Sequence, residues 1–197
     1  MHIVRIAQKL DMSNQYLTDD ELKKAGITFG SNCKIHRLTN ILNPKNLTLG
    51  NDVRIDAYCN FINSKKIEIS SKVHLGPYVY LVANGGSIKI KDYVGISAGV
   101  QIYTAADDYT GGSFFGPFNK KKNLLKKSNL ILNKYFIIGS NSIILPGANI
   151  PEGISVGALS LVNTKLKSWS IYSGNPLKYL LPRKKHIKKK NLNSCEF

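Results

Sequence analysis

An apolar side chain recurs at every sixth position along most of this chain, and this period restricts the fold more than any other feature of the sequence. The register restarts three times at intervals of 20 or 21 residues and, after a break, runs on at intervals of six. Its members are Phe29, Ile35, Ile41, Leu49, Ile55, Phe61, Ile69, Leu75, Leu81, Ile90, Ile96, Ile102, Leu132, Ile138, Ile144, Ile150, Val156 and Val162. A six-residue unit with one large inward side chain suits a short strand and a corner, so three units close a triangular coil of about 18 residues. The sequence therefore predicts an all-β parallel β-helix of hexapeptide repeats over residues 29–165.

A smaller side chain four positions after many of the large ones supports the same register. These second inward positions are Val53, Cys59, Val73, Val79, Val94, Val100, Ser142, Ala148 and Ser160. A helical solenoid would show a period of 3.6 residues and a β-sandwich would alternate strictly between turns, and neither pattern is present. A calcium-binding nonapeptide array needs aspartate in every repeat, whereas the chain has 12 acidic residues in total.

The segments at the two ends of the repeat predict short helices. Thr18 and Glu21 form a capping-box pattern that opens a helix, and Gly26 ends it, so residues 1–28 are predicted to be an N-terminal helical cap. Pro176, followed by an apolar stripe that includes Leu180, predicts a C-terminal helix within residues 166–197, before a basic tail.

Charge and composition narrow the possible partners. The formal net charge of +16 favours an anionic ligand, but no aromatic residues alternate with the basic ones, so we expect no nucleic acid partner. No apolar run approaches the roughly 18 residues that span a bilayer, and no secretory signal is evident, so we expect a cytoplasmic protein without stable membrane insertion. Three widely spaced cysteines, without a Cys/His cluster of zinc-ligand spacing, predict no metal site.

The repeat is interrupted by an excursion loop at residues 103–131, and a long excursion from a regular scaffold is usually functional. The segments on either side of it carry a family resemblance, which runs from about Tyr16 to Arg183. They are the coils Leu49–Ile102, the segments Ile102–Gly111, Ile137–Gly147 and Val156–Ser160, and the ending Ile171–Lys178 with its G-N-P-x-K motif. Together they resemble the hexapeptide-repeat acyltransferases of bacterial polysaccharide clusters, in particular the dTDP-4-amino-4,6-dideoxyglucose N-acyltransferases and the galactoside O-acetyltransferases.

This resemblance implies a left-handed helix and a homotrimer with active sites between subunits. It also implies that acyl-CoA lies in the groove between neighbouring subunits and that the excursion loop reaches across to the next one. The activity it implies is acetyl-CoA-dependent acetylation of a nucleotide-linked sugar for lipopolysaccharide, capsule or another surface glycan.

His74 is the candidate general base. It directly precedes the inward Leu75, so it points outward. It lies in the coil that precedes the one from which the excursion loop departs. An imidazole, with a reference pKa near 6.5, is suited to taking a proton from an amine or a hydroxyl at neutral pH. An ordinary surface histidine is the alternative.

The start of the loop supplies the remaining candidates for substrate contact. Asp107 and Asp108 could orient His74 or hold an ammonium group, or they could simply form a turn. Asn84 and Tyr103 are further candidates for contacts with the sugar. Many acetyltransferases of this superfamily carry their catalytic histidine in this loop, and no histidine stands here, which favours an amine acceptor and N-acetylation. O-acetylation of a polysaccharide hydroxyl is the alternative.

For the cofactor, the resemblance points to small residues on the late coils and to basic residues at the end of the helix. The expected contacts are Gly139, Ser140, Gly157 and Ala158 for the pantetheine arm, and Lys165, Lys178 and Arg183 for the phosphates of acetyl-CoA. A non-catalytic β-helix that binds or scaffolds is the alternative from another class. It would be expected to lose the excursion loop and the G-N-P-x-K ending, and both are intact.

Overall fold

The predicted β-helix is confirmed by a computed structural model, which describes residues 15–112 and 125–185. It contains a parallel solenoid of about six coils, built from short strands on three sides. The strands are β1 Lys34–Ile35, β2 Asn40–Ile41, β3 Leu47–Leu49, β4 Val53–Ile55, β5 Asn60–Ile62, β6 Ile67–Ile69, β7 Val73–Leu75, β8 Tyr80–Val82, β9 Ile88–Ile90, β10 Gly95–Ile96, β11 Gln101–Tyr103, β12 Ala105–Ala106, β13 Lys126–Lys127, β14 Leu130–Leu132, β15 Ile137–Ile138, β16 Ile143–Ile144, β17 Ser155–Val156, β18 Leu161–Val162, β19 Ser170–Ser173 and β20 Lys178–Pro182.

Successive coils contribute one strand to each of three sheets. The first sheet has the order β1-β4-β7-β10-β15-β17-β19-β20, the second β2-β5-β8-β11-β16-β18, and the third β3-β6-β9-β14. Every pair within the coils is parallel and in register, so that a residue sits directly above its counterpart one coil earlier. The short pair β12 and β13 is antiparallel and stands at the base of the excursion loop.

The core follows the six-residue period. All the predicted large inward residues from Leu49 to Val162 are buried, whereas Phe29 and Ile41, in the first coil, are only partly buried. The smaller second positions are buried as well, including the polar Ser142 and Ser160. Burial of each large aliphatic side chain contributes about 1.5–3 kcal/mol, and this explains why the period alone determines the fold.

A short helix, α1 (Asp19–Ala25), covers the first coil as the sequence predicts. The Thr18 side chain accepts a hydrogen bond from the backbone of Glu21, the Glu21 side chain accepts one from the backbone of Thr18, and Gly26 ends the helix with a left-handed φ of 80°. Arg37 in the first coil donates to both carboxylate oxygens of Glu21, at 2.8 and 3.0 Å. These hydrogen bonds, led by that from Arg37, lower the pKa of Glu21 to about 2. Leu22 of the helix is fully buried against the coil.

The other end of the solenoid differs from the sequence prediction. The helix predicted after Pro176 is wrong for residues 178–182, which form β20 and pair antiparallel with β19. A turn that begins at Gly174, with a φ of 100°, reverses the chain. The strand is favoured because β19 would otherwise end the sheet with a row of unpaired backbone groups. The leucines that suggested a helical stripe, Leu180 and Leu181, are about half exposed.

Three predicted features extend beyond the described residues: the first part of the N-terminal segment, the middle of the excursion loop and the basic tail from residue 186. Within the described ranges, no helix has the length and apolar character needed to cross a membrane.

Candidate active site

A column of outward side chains runs across the middle of the first sheet and carries His74. In β7 the flanking residues Val73 and Leu75 are fully buried, so the alternation of a strand directs His74 outward. The column is continuous through the register of the sheet. From the first coil to the last it reads Lys34, Arg54, His74, Gly95, Ile137, Ser155 and Ile171.

His74 is held by a carboxylate from the preceding coil. Nε2 of His74 lies 2.8 Å from Oδ2 of Asp56, and the other carboxylate oxygen, Oδ1, accepts a hydrogen bond of 2.8 Å from Nε of Arg54. The Asp56 side chain is 18% exposed, and that of His74 is 43% exposed. The carboxylate is therefore the sheltered member of the pair, and the imidazole is the accessible one.

Asp56 remains anionic at neutral pH. Partial burial by itself raises the pKa of this carboxyl, but the hydrogen bonds from His74 and Arg54 outweigh burial, so that its pKa falls below its ordinary value. A carboxylate accepts hydrogen bonds only, so a neutral His74 carries its proton on Nε2. This tautomer leaves the lone pair on Nδ1, which hydrogen-bonds to no other residue in the described ranges.

Asp56 is a residue that the sequence reasoning missed. The signal was available, because the early coils are 20 residues long and a step of 20 back from His74 leads to Arg54. The next outward position on that strand's face is Asp56. The period of the outward positions therefore predicts that Asp56 lies close to His74.

The other predicted substrate contacts lie elsewhere, around the loop corner, which we define as the turn between the second and third sheets at Asn84 and Thr104. Tyr103 ends β11 at this corner, and Asp107 and Asp108 follow within four residues of Thr104. In a three-sided coil this corner lies opposite the first sheet. The structure therefore brings Asn84, Tyr103, Asp107 and Asp108 to one corner and places His74 on the face away from it.

Thr104 fastens the base of the loop to the coil below. Its fully buried hydroxyl accepts hydrogen bonds of 3.1 Å from the backbone N–H groups of Gly85 and Gly86 and donates one of 2.9 Å to the carbonyl of Val82. A Cβ at Gly85 would lie 2.7 Å from the Cβ of Ala105, so glycine is needed for this close approach. The point at which the loop leaves the coil is thus rigidly defined.

The two loop aspartates differ in their surroundings. Oδ1 of Asp108 accepts from the backbone and hydroxyl of Thr110, at 2.9 and 2.6 Å, and Oδ2 accepts from the backbone of Gly112. These bonds, led by that from the Thr110 hydroxyl, lower the pKa of Asp108. Asp108 therefore forms the turn that the sequence analysis considered as the alternative, and Asp107 precedes it as a half-buried carboxylate.

The predicted cofactor residues fall into two groups. Gly139, Ser140, Gly157 and Ala158 lie together in the glycine corner, which we define as the turn between the first and second sheets in these coils. Lys178 joins them, because it pairs with Ser173, whose Oγ would lie 2.5 Å from a Cβ at Gly157. Packing between coils requires Gly139, since a Cβ there would lie 2.4 Å from the backbone nitrogen of Ala158.

Lys165 and Arg183 are placed away from the glycine corner. Lys165 is exposed and forms a bridge with Asn149 near the third sheet. Arg183 lies near the amino-terminal ends of β15 and β17, away from the glycine corner. Its Nη1 donates hydrogen bonds there to the carbonyl oxygens of Tyr135 and Ile154. These hydrogen bonds connect the end of the final strand to two coils.

We expect Arg183→Ala to destabilise the protein rather than to weaken cofactor binding. The variant leaves two carbonyl groups without their charged donor, and hydrogen bonds to charged groups contribute about 1.5–3 kcal/mol each. The measurement is the thermal unfolding midpoint, with Lys184→Ala as the control, because Lys184 is an exposed neighbour. An unchanged midpoint together with a raised KM for acetyl-CoA would assign Arg183 to the phosphates instead.

The geometry is that of a hexapeptide-repeat acyltransferase: a parallel β-helix, an excursion loop fixed at one corner, and an outward histidine with a partly buried carboxylate. No family model matches the chain. A structure of AntD, an N-acyltransferase from Bacillus cereus, in complex with dTDP and 3-hydroxybutyryl-CoA, is 37% identical, covers 89% of this chain and 94% of its own, and superposes with a TM-score of 0.82.

Two further comparisons agree with this one. An AntD variant in complex with dTDP-4-amino-4,6-dideoxyglucose and coenzyme A is 36% identical over 89% of this chain and 94% of its own, with a TM-score of 0.81. A dTDP-4-amino-4,6-dideoxy-D-glucose acyltransferase from Escherichia coli is 31% identical over 103 residues, which span 52% of this chain and 54% of that protein. The match thus spans about half the length of this curated relative. The chain belongs to the left-handed β-helix N-acyltransferase family that includes AntD.

Proposed function

We propose that this protein transfers an acetyl group from acetyl-CoA to the amine of a nucleotide-linked amino-deoxysugar. The observation that carries the proposal is the alignment of almost the whole chain with AntD, which binds 3-hydroxybutyryl-CoA and, in a variant, a dTDP-linked 4-amino sugar. The pair formed by His74 and Asp56 supports it, because it supplies an accessible base on the face of the helix.

The proposed reaction forms one amide bond and breaks one thioester bond. The lone pair of the sugar amine attacks the thioester carbonyl carbon, and Nδ1 of His74 accepts a proton from the amine nitrogen as it does so. Collapse of the tetrahedral intermediate expels the sulfur, which leaves with that proton as the thiol of coenzyme A. Asp56 keeps the Nε2 proton in place and stabilises the imidazolium while it exists.

We further propose a homotrimer whose sites lie between copies. Within one chain the loop corner is opposite the face of His74, so Asp107 approaches His74 only from a neighbouring copy. The outward face of the second sheet offers apolar surface for such contacts, and this surface includes Leu42, which is 58% exposed, together with the partly exposed Ile62, Ile143, Leu145 and Leu161. Extended apolar patches of this kind mark interaction sites.

Light scattering at micromolar concentration should give three times the chain mass, and a monomer would contradict this arrangement.

We place the enzyme in the cytoplasm, in the synthesis of lipopolysaccharide or another surface glycan. Among the described residues, Cys33 and Cys59 are free thiols, as is usual for a reducing compartment. The likeness to enzymes that bind dTDP-linked aminodideoxysugars supports the glycan assignment.

The decisive test is release of free thiol from acetyl-CoA in the presence of a panel of nucleotide-linked 3-amino and 4-amino 6-deoxysugars. Each amine is paired with the matched sugar that carries a hydroxyl at the same carbon. We expect turnover with an amine and none with its hydroxyl partner. Turnover only with hydroxyl sugars would establish O-acetylation instead, and binding without turnover of any donor would favour a non-catalytic β-helix.

A further inference from the structure

Arg54 is the third member of the group that it forms with Asp56 and His74. Arg54 and Asp56 lie on the same side of one coil, because the residue between them, Ile55, is fully buried. In the next coil His74 lies in register with Arg54. The three outward side chains therefore meet, and the two carboxylate oxygens have different partners: Nε of Arg54 at Oδ1 and Nε2 of His74 at Oδ2, both at 2.8 Å.

The imidazole of His74 has few other restraints on its orientation. The next position of the column is Gly95, which has no side chain to pack against the ring. Among the described residues, Asp56 is the only one to which the ring hydrogen-bonds. Rotation of a histidine ring about its bond to Cβ is a soft torsion with two broad minima, so packing alone would allow the ring to turn over. The position of the Asp56 carboxylate therefore decides which ring nitrogen faces outward.

The main chain of Asp56 is fixed, but its carboxylate is not fixed by the same contacts. The backbone N–H of Asp56 donates to the carbonyl of Leu75 at 2.9 Å, and its carbonyl accepts from the Thr39 hydroxyl at 3.2 Å. Neither contact restrains the terminal torsion of the side chain, which is as soft as that of the ring. Apart from His74, Arg54 is the only partner of this carboxylate within the described ranges. The orientation of the carboxylate therefore depends on Arg54.

We infer that Arg54 is a positioning residue, which acts on the proposed proton transfer through Asp56 and does not touch either substrate. The inference rests on the proposed function, since it assigns a further residue to the same reaction. The guanidinium holds Oδ1, and the carboxylate then presents Oδ2 to the ring and keeps the proton on Nε2. Without Arg54 the carboxylate and the ring both reorient, and the fraction of molecules that hold Nδ1 ready for the amine falls.

The first test measures kcat and both KM values in Arg54→Met and Arg54→Lys, with acetyl-CoA and the amino sugar that gives the highest turnover in the panel. Methionine keeps the apolar stem of arginine but has no donor. Arg54→Met should lower kcat about 10-fold, the lower end of the range for a lost hydrogen bond to a charged group, because the Arg54 side chain is 46% exposed. Both KM values should stay within about two-fold of the wild type, since only the proton transfer is affected.

Arg54→Lys and Lys34→Met are the controls. Asp56 uses one donor of Arg54 rather than a pair, so a lysine can replace it, and Arg54→Lys should bring kcat back to within about three-fold of the wild type. Lys34 is the next cation of the same column, one coil farther from His74. Lys34→Met removes a charge of the same sign and should retain full activity. All three variants should unfold near the wild-type temperature, because exposed ion pairs add little to stability.

A second measurement reports on the His74 ring without catalysis. Long-range ¹H–¹⁵N NMR spectra show which nitrogen of a neutral imidazole carries the proton, and comparison with His74→Ala assigns the signal of His74 among the four histidines of the chain. The wild type and Arg54→Lys should carry the proton on Nε2, whereas Arg54→Met should populate both tautomers. A residue that only supports the coil would leave this signal unchanged.

The inference requires both the loss of kcat and the change of tautomer in Arg54→Met, and the absence of either would overturn it. A raised KM would overturn it as well, since it would make Arg54 a direct substrate contact. Equal losses in Arg54→Met and Arg54→Lys, or a change confined to the unfolding midpoint, would do the same. None of these results contradicts the proposed function, which fails only if the wild type transfers no acyl group to an amine.

Discussion

His74→Ala should lower kcat by about 10²–10⁴, with little change in KM or in the thermal unfolding midpoint. This range is the usual contribution of a general base that accepts a proton in the transition state. Stability should be preserved because the side chain is 43% exposed and supports no part of the core. The pH profile of the rate should also differ between the wild type and the variant, since the variant lacks the group that accepts the proton.

Two other variants sharpen the test. His36→Ala is the matched control, because His36 points outward in the first coil, where its Nδ1 accepts a hydrogen bond from the backbone of Leu38; it should retain full activity. Asp56→Asn keeps the size of the side chain but can turn a donor toward Nε2 and so favour the other tautomer. It should therefore lower kcat while leaving KM near the wild-type value.

A different result would remove His74 from the reaction. A sugar amine that arrives already neutral needs only to be oriented, and orientation alone would leave His74→Ala within a few-fold of the wild type. In that case the pH profile of the wild type would follow the amine of the substrate and would be the same in the variant. Such a result would leave the loop carboxylates, Asp107 and Asp108, as the groups that orient the amine.

The fold and the face that carries His74 were predictable because both depend on the same short period. A side chain every six residues decides which residues point inward, and from Leu49 to Val162 the large inward residues are buried as expected. A residue beside an inward position must point outward, and this gave the orientation of His74. Its partner Asp56 follows from the same register, but only when coils are compared across 20 residues.

The parts that were missed depend on contacts between elements rather than on a repeat. The last strand is set by the unpaired edge of β19, and nothing in the local pattern around Leu180 distinguishes a strand from a helix there. The phosphate role of Arg183 stays a prediction, but its hydrogen bonds to carbonyl groups of two coils could not be inferred from its charge. Gly139 and Gly95 look alike in sequence, and only the positions of neighbouring atoms show that packing requires the first and not the second.

The second large effect that we expect is a loss of stability when Gly139 is replaced by alanine. Gly139→Ala should lower the free energy of unfolding by about 3 kcal/mol, the upper end of the usual cost of overpacking, because the added Cβ would lie 2.4 Å from the nitrogen and 2.8 Å from the Cα of Ala158. These are backbone atoms of the next coil, so no side chain can rotate away to relieve the contact. The midpoint of thermal unfolding should fall by roughly 6–12 °C for a chain of this size.

Gly95→Ala is the matched control for stability, since the same methyl group there meets only a side chain at 3.7 Å. It should unfold at or above the wild-type temperature. The resemblance to acyl-CoA enzymes instead assigns Gly139 to the pantetheine arm, and that role gives a different result: an unchanged unfolding midpoint and a raised KM for acetyl-CoA. The two measurements on Gly139→Ala therefore separate a glycine kept for coil packing from one kept for the cofactor, and we expect the loss of stability.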